Sequence, residues 1–579
     1  MCSNPLPTKS VLTKRNLKGG IMTIPLPGRR PLSMFGILLI LFCLSSCSQS
    51  QPESSMTEKR PNFLIFTTDD MGYTDFGAFG GNDIPTPNID EIAMQGVRLT
   101  NFHVSISCAP TRSMLMSGTG NHEAGMGIQN INFAPEFRGQ RGYEGQITDR
   151  VLTLPERMRG GGYNTYMSGK WHLGSELGEN TPADRGFERT FALMSGGSSD
   201  HFRPDHLEQM PYLLDGEMID SLPEDFYSTN AYVDHMIEFI QDGEADDQPF
   251  FAWFAPTSPH WPLQVYPGWE DKFVGYYDEG YEALCHARQQ GAAEMGVLPA
   301  NADTTICPEE ASDWEDLSEE DKQLHRRTME LYAAMTAHLD TEFGRLLDYL
   351  EASGQLENTY IIYHNDNGSQ GGEIMNNRGN QDRYDNSIEN IGQRNSWVHL
   401  GQGWSDAQSA PFREDKGSQY EGGIRVPAFI RAPSSSDSAR ISNSLLTVMD
   451  VMPTIMDLAG IEEVTTNTEG ASVLPIRGQS FAGLLEDQNY DVHAGQHIAL
   501  DEGGESILIE GDWKIIRQPQ QANWELYRLD SNPNETQNLA DQYPEIVAEL
   551  AAKFDAHAET AGILRRDQEG EVWSGGGLL

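Results

Sequence analysis

Phe63-Leu64-Ile65-Phe66-Thr67 is an apolar run without alternation, and it ends in Asp69-Asp70. Residues apolar on both sides of an extended chain read as a strand buried on both faces, as in a parallel sheet. The pattern recurs. Tyr163 to Met167 leads into Gly169-Lys170-Trp171-His172-Leu173-Gly174, and Phe250-Phe251-Ala252-Trp253-Phe254 into Pro256 to His260. Tyr360-Ile361-Ile362-Tyr363 leads into His364-Asn365-Asp366-Asn367-Gly368. Helical segments separate these runs. Pro87 to Met94, Thr111 to Met116, Leu154 to Arg159 and Tyr232 to Ile240 read as helices. A long one should start near Ser318, where Ser318 and Asp321 form a capping-box-like pair. It carries Leu331, Met335, Leu339, Phe343, Leu346 and Leu350 at helical spacing, a core stripe, and Gly354 ends it. The expected class is α/β: a large mixed, mostly parallel sheet sandwiched by helices. Ligands of such sheets sit beyond the carboxyl ends of the strands. All four runs deliver charged or metal-binding residue types there.

Further along, Lys416-Gly417-Ser418-Gln419-Tyr420-Glu421-Gly422-Gly423 precedes another strand, Val426 to Ile430. Near residue 480 the character changes. Ser506 to Glu510, Trp513 to Arg517 and Glu525 to Leu529 read as antiparallel strands, and Pro544 to Ala558 as a closing helix. We therefore expect a domain over 61–480 and a smaller C-terminal α+β subdomain over 481–579 with an antiparallel sheet. Residues 267–316 are acidic and read as an irregular insertion loop. Arg378 to Ala410 reads as a long polar loop carrying Tyr384, Trp397 and Trp404. Loops this long inside a compact domain are usually functional.

The 579 residues hold 40 Lys and Arg against 86 Asp and Glu, a net charge of −46. Such a surface repels nucleic-acid phosphates, so no nucleic-acid partner is expected. It also opposes an anionic substrate at long range. In strong salt the screening length shrinks to a few Å, and positive charge inside a pocket then dominates. The acidity fits a salt-adapted source or plain solubility.

The N-terminus reads as a targeting segment. Arg29-Arg30 precede the apolar run Met34 to Phe42, which is too short to span a membrane, and Leu44-Ser45-Ser46-Cys47 follows. Leu-Ser-Ser-Cys resembles a bacterial lipobox, whose cysteine becomes a lipidated N-terminus. Residues 1–47 are thus expected to be a lipoprotein-type signal peptide and 48–60 a flexible tether. The expected location is the periplasm or cell surface of a bacterium, anchored at the outer membrane, with the lipid on Cys47 as the sole membrane contact. Cys2 and Cys43 are lost on processing in that scheme. Cys285 and Cys307 remain as an even pair in an exported chain and are expected to form a disulfide; two unrelated buried thiols are the alternative.

Asp69, Asp70, Asp366 and Asn367 are all oxygen donors. Three carboxylates and an amide suit a hard divalent cation, Ca2+ or Mg2+. Either pair taken alone is equally a helix N-cap or an Asx turn. Arg112, Lys170, His172, His260 and Lys416 form a positive set. Each is individually as readable as a solvated lysine or a structural histidine. Together they could stabilise negative charge that builds up in a reaction. His260 lies in Pro259-His260-Trp261-Pro262, where two prolines would stiffen a general acid's loop. His122 and His201 are left as pocket or packing residues.

Cys108-Ala109-Pro110-Thr111-Arg112, Gly-Lys-Trp-His-Leu-Gly from Gly169, Thr257-Ser258-Pro259-His260, Asn365-Asp366-Asn367-Gly368 and Lys416 to Pro427 occur in the order seen in arylsulfatases. Pro61-Asn62-Phe63 through Asp69-Asp70-Met71-Gly72 is similar to that family's opening, and Trp513-Lys514, Glu525-Leu526-Tyr527 and Asn538-Leu539-Ala540 to its C-terminal part. From Pro61 to about Pro544 the chain resembles the type I sulfatases of the alkaline phosphatase superfamily. The resemblance implies that Cys108 is oxidised by a formylglycine-generating or sulfatase-maturating enzyme to formylglycine. The hydrated aldehyde would be both nucleophile and metal ligand, with Ca2+ held by Asp69, Asp70, Asp366 and Asn367. Arg112 and His172 would steady it, and His172 would promote collapse of the sulfated hemiacetal. Lys170, Lys416 and His260 would bind the sulfate, and His260 would protonate the leaving group. The implied activity is hydrolysis of aryl or carbohydrate sulfate esters, so the implied partner is a sulfated small molecule or glycan. A phosphonate monoester or phosphodiester hydrolase, or a catalytically silent protein that binds sulfated glycans, are the alternatives. Met116-Ser117-Gly118 departs from the family's usual Leu-Thr-Gly but keeps the hydroxyl.

Overall fold

Alternation decides which way each buried strand residue points. In the strand β1 (Asn62–Thr68), Phe63 and Ile65 face one apolar cluster while Leu64 and Phe66 face another. The computed structural model describes residues 59–129, 135–174, 178–196, 200–203, 211–299, 301–303, 307, 314–375, 384–435, 439–467, 469–519, 521–566 and 572–573. The expected signal peptide with Cys47 and most of the expected tether lie outside them, as do parts of the loops around 204–210, 300–313 and 376–383. No helix among the described residues is long and apolar enough to cross a membrane.

Ten further strands join β1 in one sheet: β2 (Val97–His103), β3 (Asn164–Lys170), β4 (Arg189–Leu193), β5 (Tyr212–Leu214), β6 (Glu217–Met218), β7 (Phe250–Ala255), β8 (Thr359–Asn365), β9 (Arg425–Arg431), β10 (Arg440–Ser442) and β11 (Leu446–Thr447). Their spatial order is β10-β2-β9-β8-β1-β7-β3-β4-β5-β6, with β11 on β2. The centre is parallel: β8, β7 and β3 all run with β1. β9 runs antiparallel to both β8 and β2. Two reversals restore direction, so β2 ends on the same edge as β1, β3, β7 and β8, and β9 begins there.

Helices cover both faces. On one, Phe66 and Phe254 pack beneath the long helix Glu319–Ala352 through Leu339, Phe343, Leu346 and Leu350, with Phe66 and Phe343 ring centroids 4.4 Å apart. Each fully buried aromatic or leucine there contributes roughly 1.5–3 kcal/mol. The long helix starts at Ser318, whose hydroxyl accepts from the Asp321 amide. On the other face, Phe63, Ile65 and Trp253 meet Ala109, Met114 and Leu115 of the helix Cys108–Ser117.

The C-terminal strands form a second, antiparallel sheet: β12 (His497–Glu502), β13 (Glu505–Glu510), β14 (Trp513–Arg517) and β15 (Glu525–Arg528). β12 is absent from the sequence reading. One face of this sheet buries Leu508, Ile515 and Leu526 under Leu550 and Phe554 of the helix Pro544–Ala561. Ile498, Ile507, Ile509 and Ile516 point the other way, into the cluster behind the Cys108 helix.

Two stretches read as irregular contain helices, and these are corrections. Within 267–316 the chain forms the helix Tyr281–Glu294, and within 378–410 the helix Gln402–Ser409. Neither has a clean apolar stripe. The first is held instead by a buried polar grip: Arg288 donates to Asp83 and, through Nη1, to Asp75. It also carries Cys285, disulfide-bonded to Cys307 with the Cα atoms 6.1 Å apart.

Candidate active site

The edge where β1, β3, β7 and β8 end carries the candidate residues. Asp69 and Asp70 follow β1 directly. Asp70 sits in the left-handed region at φ 64°, which Asp tolerates better than most residues. Lys170 is the last residue of β3. His172, two residues on, also has positive φ, 59°. Non-glycine residues held there store strain, and such residues concentrate at functional sites. Asp366 and Asn367 follow β8. Gly368 lets that turn approach the Gly422-Gly423 loop, because a Cβ on it would stand 1.9 Å from the Gly422 oxygen. The Gly368 amide donates to Gly423 and the Lys416 amide to Ser369, which brings Lys416 to the same edge.

Charge pairing is dense. The Lys170 ammonium donates to Asp69 Oδ2 at 2.7 Å. Arg112 donates twice to Asp366 Oδ2, from Nε at 2.9 Å and Nη2 at 2.8 Å, and from Nη1 to the Lys170 carbonyl at 2.6 Å. Lys416 Nζ lies 2.6 Å from Asp70 Oδ1 and 3.1 Å from Gln370 Oε1. The Asn367 amide donates to Asp70 Oδ1 at 2.7 Å. His260 Nε2 stands 3.2 Å from Asp70 Oδ2, with its Nδ1 2.6 Å from the Trp261 carbonyl. Cys108 is 1% exposed, with Sγ 3.8 Å from Asp69 Oδ1.

Asp69, Asp70, Cys108, Arg112, Lys170, His260, Asp366 and Asn367 are buried and His172 and Lys416 only partly exposed, so environment sets protonation. Burial alone would push the Asp69 carboxyl up, but Lys170, His260 and Arg112 hold it below the usual carboxylate range. Burial opposes charge on Lys170 and Lys416, yet their carboxylate neighbours, Asp69 for Lys170 and Asp70 for Lys416, raise both. His172 is driven well below an ordinary histidine by burial, with Lys170, Arg112 and Lys416 adding repulsion. His260 is driven well below too, chiefly by burial, against the attraction of Asp69. Both imidazoles are neutral at pH 7. Burial pushes the Cys108 thiol up to about 12, the reverse of what activates a cysteine nucleophile.

Donor atoms of Asp69, Asp70, Cys108 and His260 all lie within 4.8 Å of one another. Asp366 Oδ1 and Asn367 Oδ1 are buried beside them and accept no hydrogen bond from any described residue. Buried oxygens without donors cost free energy unless a cation satisfies them. The oxygens of Asp69, Asp70, Asp366 and Asn367, with Asp70 Oδ2 a third one lacking a hydrogen-bond donor, fit a hard divalent cation beside the Cys108 and His260 donors. His260 stands closer to these donors than the sequence reading implied.

The structure thus gathers Asp69, Asp70, Cys108, Arg112, Lys170, His172, His260, Asp366, Asn367 and Lys416 at one edge. His122 is elsewhere: it packs edge-on to Tyr143 with Nε2 3.4 Å from Asp501. His201 lies behind the site, its Nε2 2.9 Å from the His260 carbonyl and Nδ1 2.9 Å from the Ser228 hydroxyl. Two residues escaped the sequence reading. Gln370 touches Lys416, and its position three residues after Asn367 was the available signal. Glu502, on β12, accepts from the hydroxyls of Ser107 at 2.6 Å and Ser105 at 3.2 Å. Nothing in the local sequence marks it.

The family model described as Sulfatase matches residues 61–461, and one described as N-sulphoglucosamine sulphohydrolase, C-terminal, matches 413–560. The chain belongs to the sulfatase family. This sulfatase is 37% identical to an arylsulfatase of Klebsiella aerogenes, over 74% of its own length and 92% of the relative's. An uncharacterized sulfatase of Schizosaccharomyces pombe is 36% identical over 87% and 95%. The N-acetylglucosamine-6-O-sulfatase of Bacteroides thetaiotaomicron is 26% identical over 87% and 86%. Among solved structures, one in complex with its substrate D-glucosamine-2-N,6-O-disulfate superposes with a TM-score of 0.60 at 22% identity, covering 87% and 98% of the two chains. The fold is shared at that distance. The activity that follows from family membership is sulfuric ester hydrolysis.

Proposed function

We propose that this sulfatase acts through a formylglycine made from Cys108, with Ca2+ or Mg2+ held by Asp69, Asp70, Asp366 and Asn367, on sulfate esters of aryl or carbohydrate alcohols. One observation carries the reading. The cysteine of the Cys-x-Pro-x-Arg pentapeptide is buried among donor atoms within 4.8 Å of one another, ringed by three buried cations. The hydrated aldehyde supplies an oxygen nucleophile for sulfur. The cation, when bound, polarises the sulfuryl oxygens and favours deprotonation next to it.

The chain's own residues do the remainder. Lys170 and Lys416 meet the sulfate's charge in a largely buried site, where electrostatic stabilisation is stronger than in bulk water. Arg112 fixes Asp366 and the Lys170 backbone together. His172, buried and neutral, accepts a proton from the hydrated side chain of residue 108. His260 donates Nδ1–H to the Trp261 carbonyl, so Nε2 takes a proton from solvent and passes it to the leaving oxygen as the S–O bond breaks. Asp70 Oδ2, 3.2 Å away, stabilises the imidazolium in between.

The test is chemical. From cells that contain a maturating enzyme, the purified peptide around Cys108 should carry an aldehyde that reacts with a hydrazide. Cys108→Ala should fold and lose turnover of nitrophenyl sulfate. A persistent thiol in an active enzyme sinks the nucleophile assignment, and faster turnover of phenylphosphonate than of the sulfate makes it a phosphonate hydrolase. We also propose export with a lipid on Cys47, so Cys47→Ala should move the protein from the membrane to the soluble fraction.

A further inference from the structure

One buried histidine holds another. His201, in the connection between β4 and β5, is fully buried, and each of its polar groups has a partner. Its amide donates to Gln264 Oε1 at 2.9 Å, and its carbonyl accepts from the Ser228 amide at 2.8 Å. Its ring bridges two more, with Nδ1 2.9 Å from the Ser228 hydroxyl and Nε2 2.9 Å from the His260 carbonyl.

Only one tautomer serves both ring contacts. A carbonyl oxygen can only accept, so Nε2 carries the hydrogen, Nδ1 accepts and the Ser228 hydroxyl donates. Burial holds the His201 pKa at about 4, so the ring stays neutral and keeps that assignment. Its supports are firm. Ser228 opens the helix Ser228–Gly243. Gln264, also fully buried, is fixed through Nε2 to Asp200 Oδ1 at 2.7 Å and Ser396 O at 2.9 Å.

Beside Asp70, His260 has three hydrogen-bonding partners. Its amide donates to the Thr257 carbonyl at 2.9 Å and its Nδ1 to the Trp261 carbonyl at 2.6 Å. The Trp261 bond runs to the adjoining residue, so it orients the ring against the local backbone and cannot anchor that backbone. The His260 carbonyl is the third handle, and His201 holds it. A phenyl ring would fill the same space as His201. The two nitrogens are what tie the start of a helix to the peptide of His260.

We propose that His201 is a positioning residue: its bond to the His260 carbonyl sets how far His260 Nε2 reaches towards the leaving oxygen. The inference rests on the general-acid role proposed above for His260. In that step the nucleophile's oxygen bonds to sulfur, and the ester S–O bond breaks with its electron pair on the leaving oxygen. That oxygen takes the Nε2 proton. The less basic the leaving oxygen, the less it needs the proton. A catalytic group misplaced by about 1 Å can cost about 100-fold. Loss of His201 should therefore fall hardest on esters of basic alcohols, and it should act through His260.

The experiment measures kcat/KM of the matured enzyme for nitrophenyl, chlorophenyl and phenyl sulfate, a series of rising leaving-group basicity. Each rate is divided by the formylglycine content of the preparation. His201→Phe should lose about tenfold on phenyl sulfate and less than about threefold on nitrophenyl sulfate, so the dependence on the leaving group steepens. His201→Gln places an amide N–H where Nε2 stands and should restore most of the phenyl sulfate rate. Ser228→Ala removes the hydroxyl that selects the tautomer and should steepen the series in smaller measure, which gives the answer if His201→Phe does not fold. His260→Ala should show the full steepening, and adding His201→Phe to it should steepen the series no further. Equal losses on the three esters in His201→Phe and Ser228→Ala, beside a steepened series in His260→Ala, overturn the role of His201 and leave the general acid standing. A His260→Ala series as shallow as wild type removes the general acid and the role of His201 together.

Discussion

At the scale of single residues, Arg112 shows how much one side chain holds. It is fully buried, forks onto Asp366 and caps the Lys170 carbonyl. Removing one partner of a buried pair leaves a desolvated charge, at a cost of about 3–5 kcal/mol. Arg112→Ala should therefore lose both turnover and that much unfolding free energy in urea. Arg112→Lys keeps the charge without the planar fork, so it should regain part of the stability and little of the activity. A wild-type urea midpoint for Arg112→Ala would refute the assignment. Arg112 was legible because it lies four residues after Cys108 in a motif. Gln370 and Glu502 were not, because their partners are 46 and 395 residues away.

At the scale of elements, strand ends were the readable feature. A run buried on both faces carries no carboxylate or ammonium along its middle, so Asp69, Lys170 and Asp366, at or just past the strand ends, mark the edge themselves. The helix Tyr281–Glu294 was unreadable for the opposite reason. Its buried face includes Arg288 and Gln289, which look solvent-facing until Asp75 and Asp83 are placed opposite Arg288. The strand β12 has the same character. It ends in Glu502, buried against Ser107, which immediately precedes the Cys108 helix. Burial raises the Glu502 carboxyl pKa, against the hydrogen bonds from Ser107, Gln129 and Ser105. A raised acid stabilises the fold below its unfolded value and loses that contribution as pH rises through the folded one. Glu502→Gln escapes this loss, so its stability relative to wild type should grow from pH 5 to pH 8. Glu502→Ala strands Ser107 and should cost about 1–3 kcal/mol at either pH. A flat difference between Glu502→Gln and wild type across that range would contradict the raised carboxyl.

At the scale of the whole molecule, the net charge of −46 sets how a substrate approaches, and buried titratable groups set a second behaviour. Substrate and protein repel at low salt, while the binding cations are buried and poorly screened. For a singly charged aryl sulfate, kcat/KM should rise as ionic strength goes from about 0.01 to about 0.15 M, where the screening length falls from ~30 to ~8 Å. A decline over that range would mean that local cations, not the surface, govern approach. Acid sensitivity is the second. Burial lowers His201 and His557 to about 4 and His338 to about 3. Groups buried neutral contribute stability above their unfolded value near 6.5 and lose it as pH falls towards 4. Asp90 and Asp340, raised by burial to about 6, pull the other way over nearly the same window. Single variants separate them: His338→Gln should flatten the acid limb of the stability curve, and Asp340→Asn should steepen it.

The seal over Cys108 also sets a clock. Under the formylglycine proposal, an enzyme that oxidises this side chain must reach it before the fold closes, and one closing piece is Glu502 on β12, docked against Ser107. Those two residues are 395 positions apart in the chain. At a synthesis rate of about 5–20 residues per second, that spacing keeps the segment around Cys108 open for roughly 20–80 s. Activity would then depend on a race between maturation and folding. Slowing the docking of the C-terminal sheet should raise the fraction of converted chains, even as it lowers the stability of each.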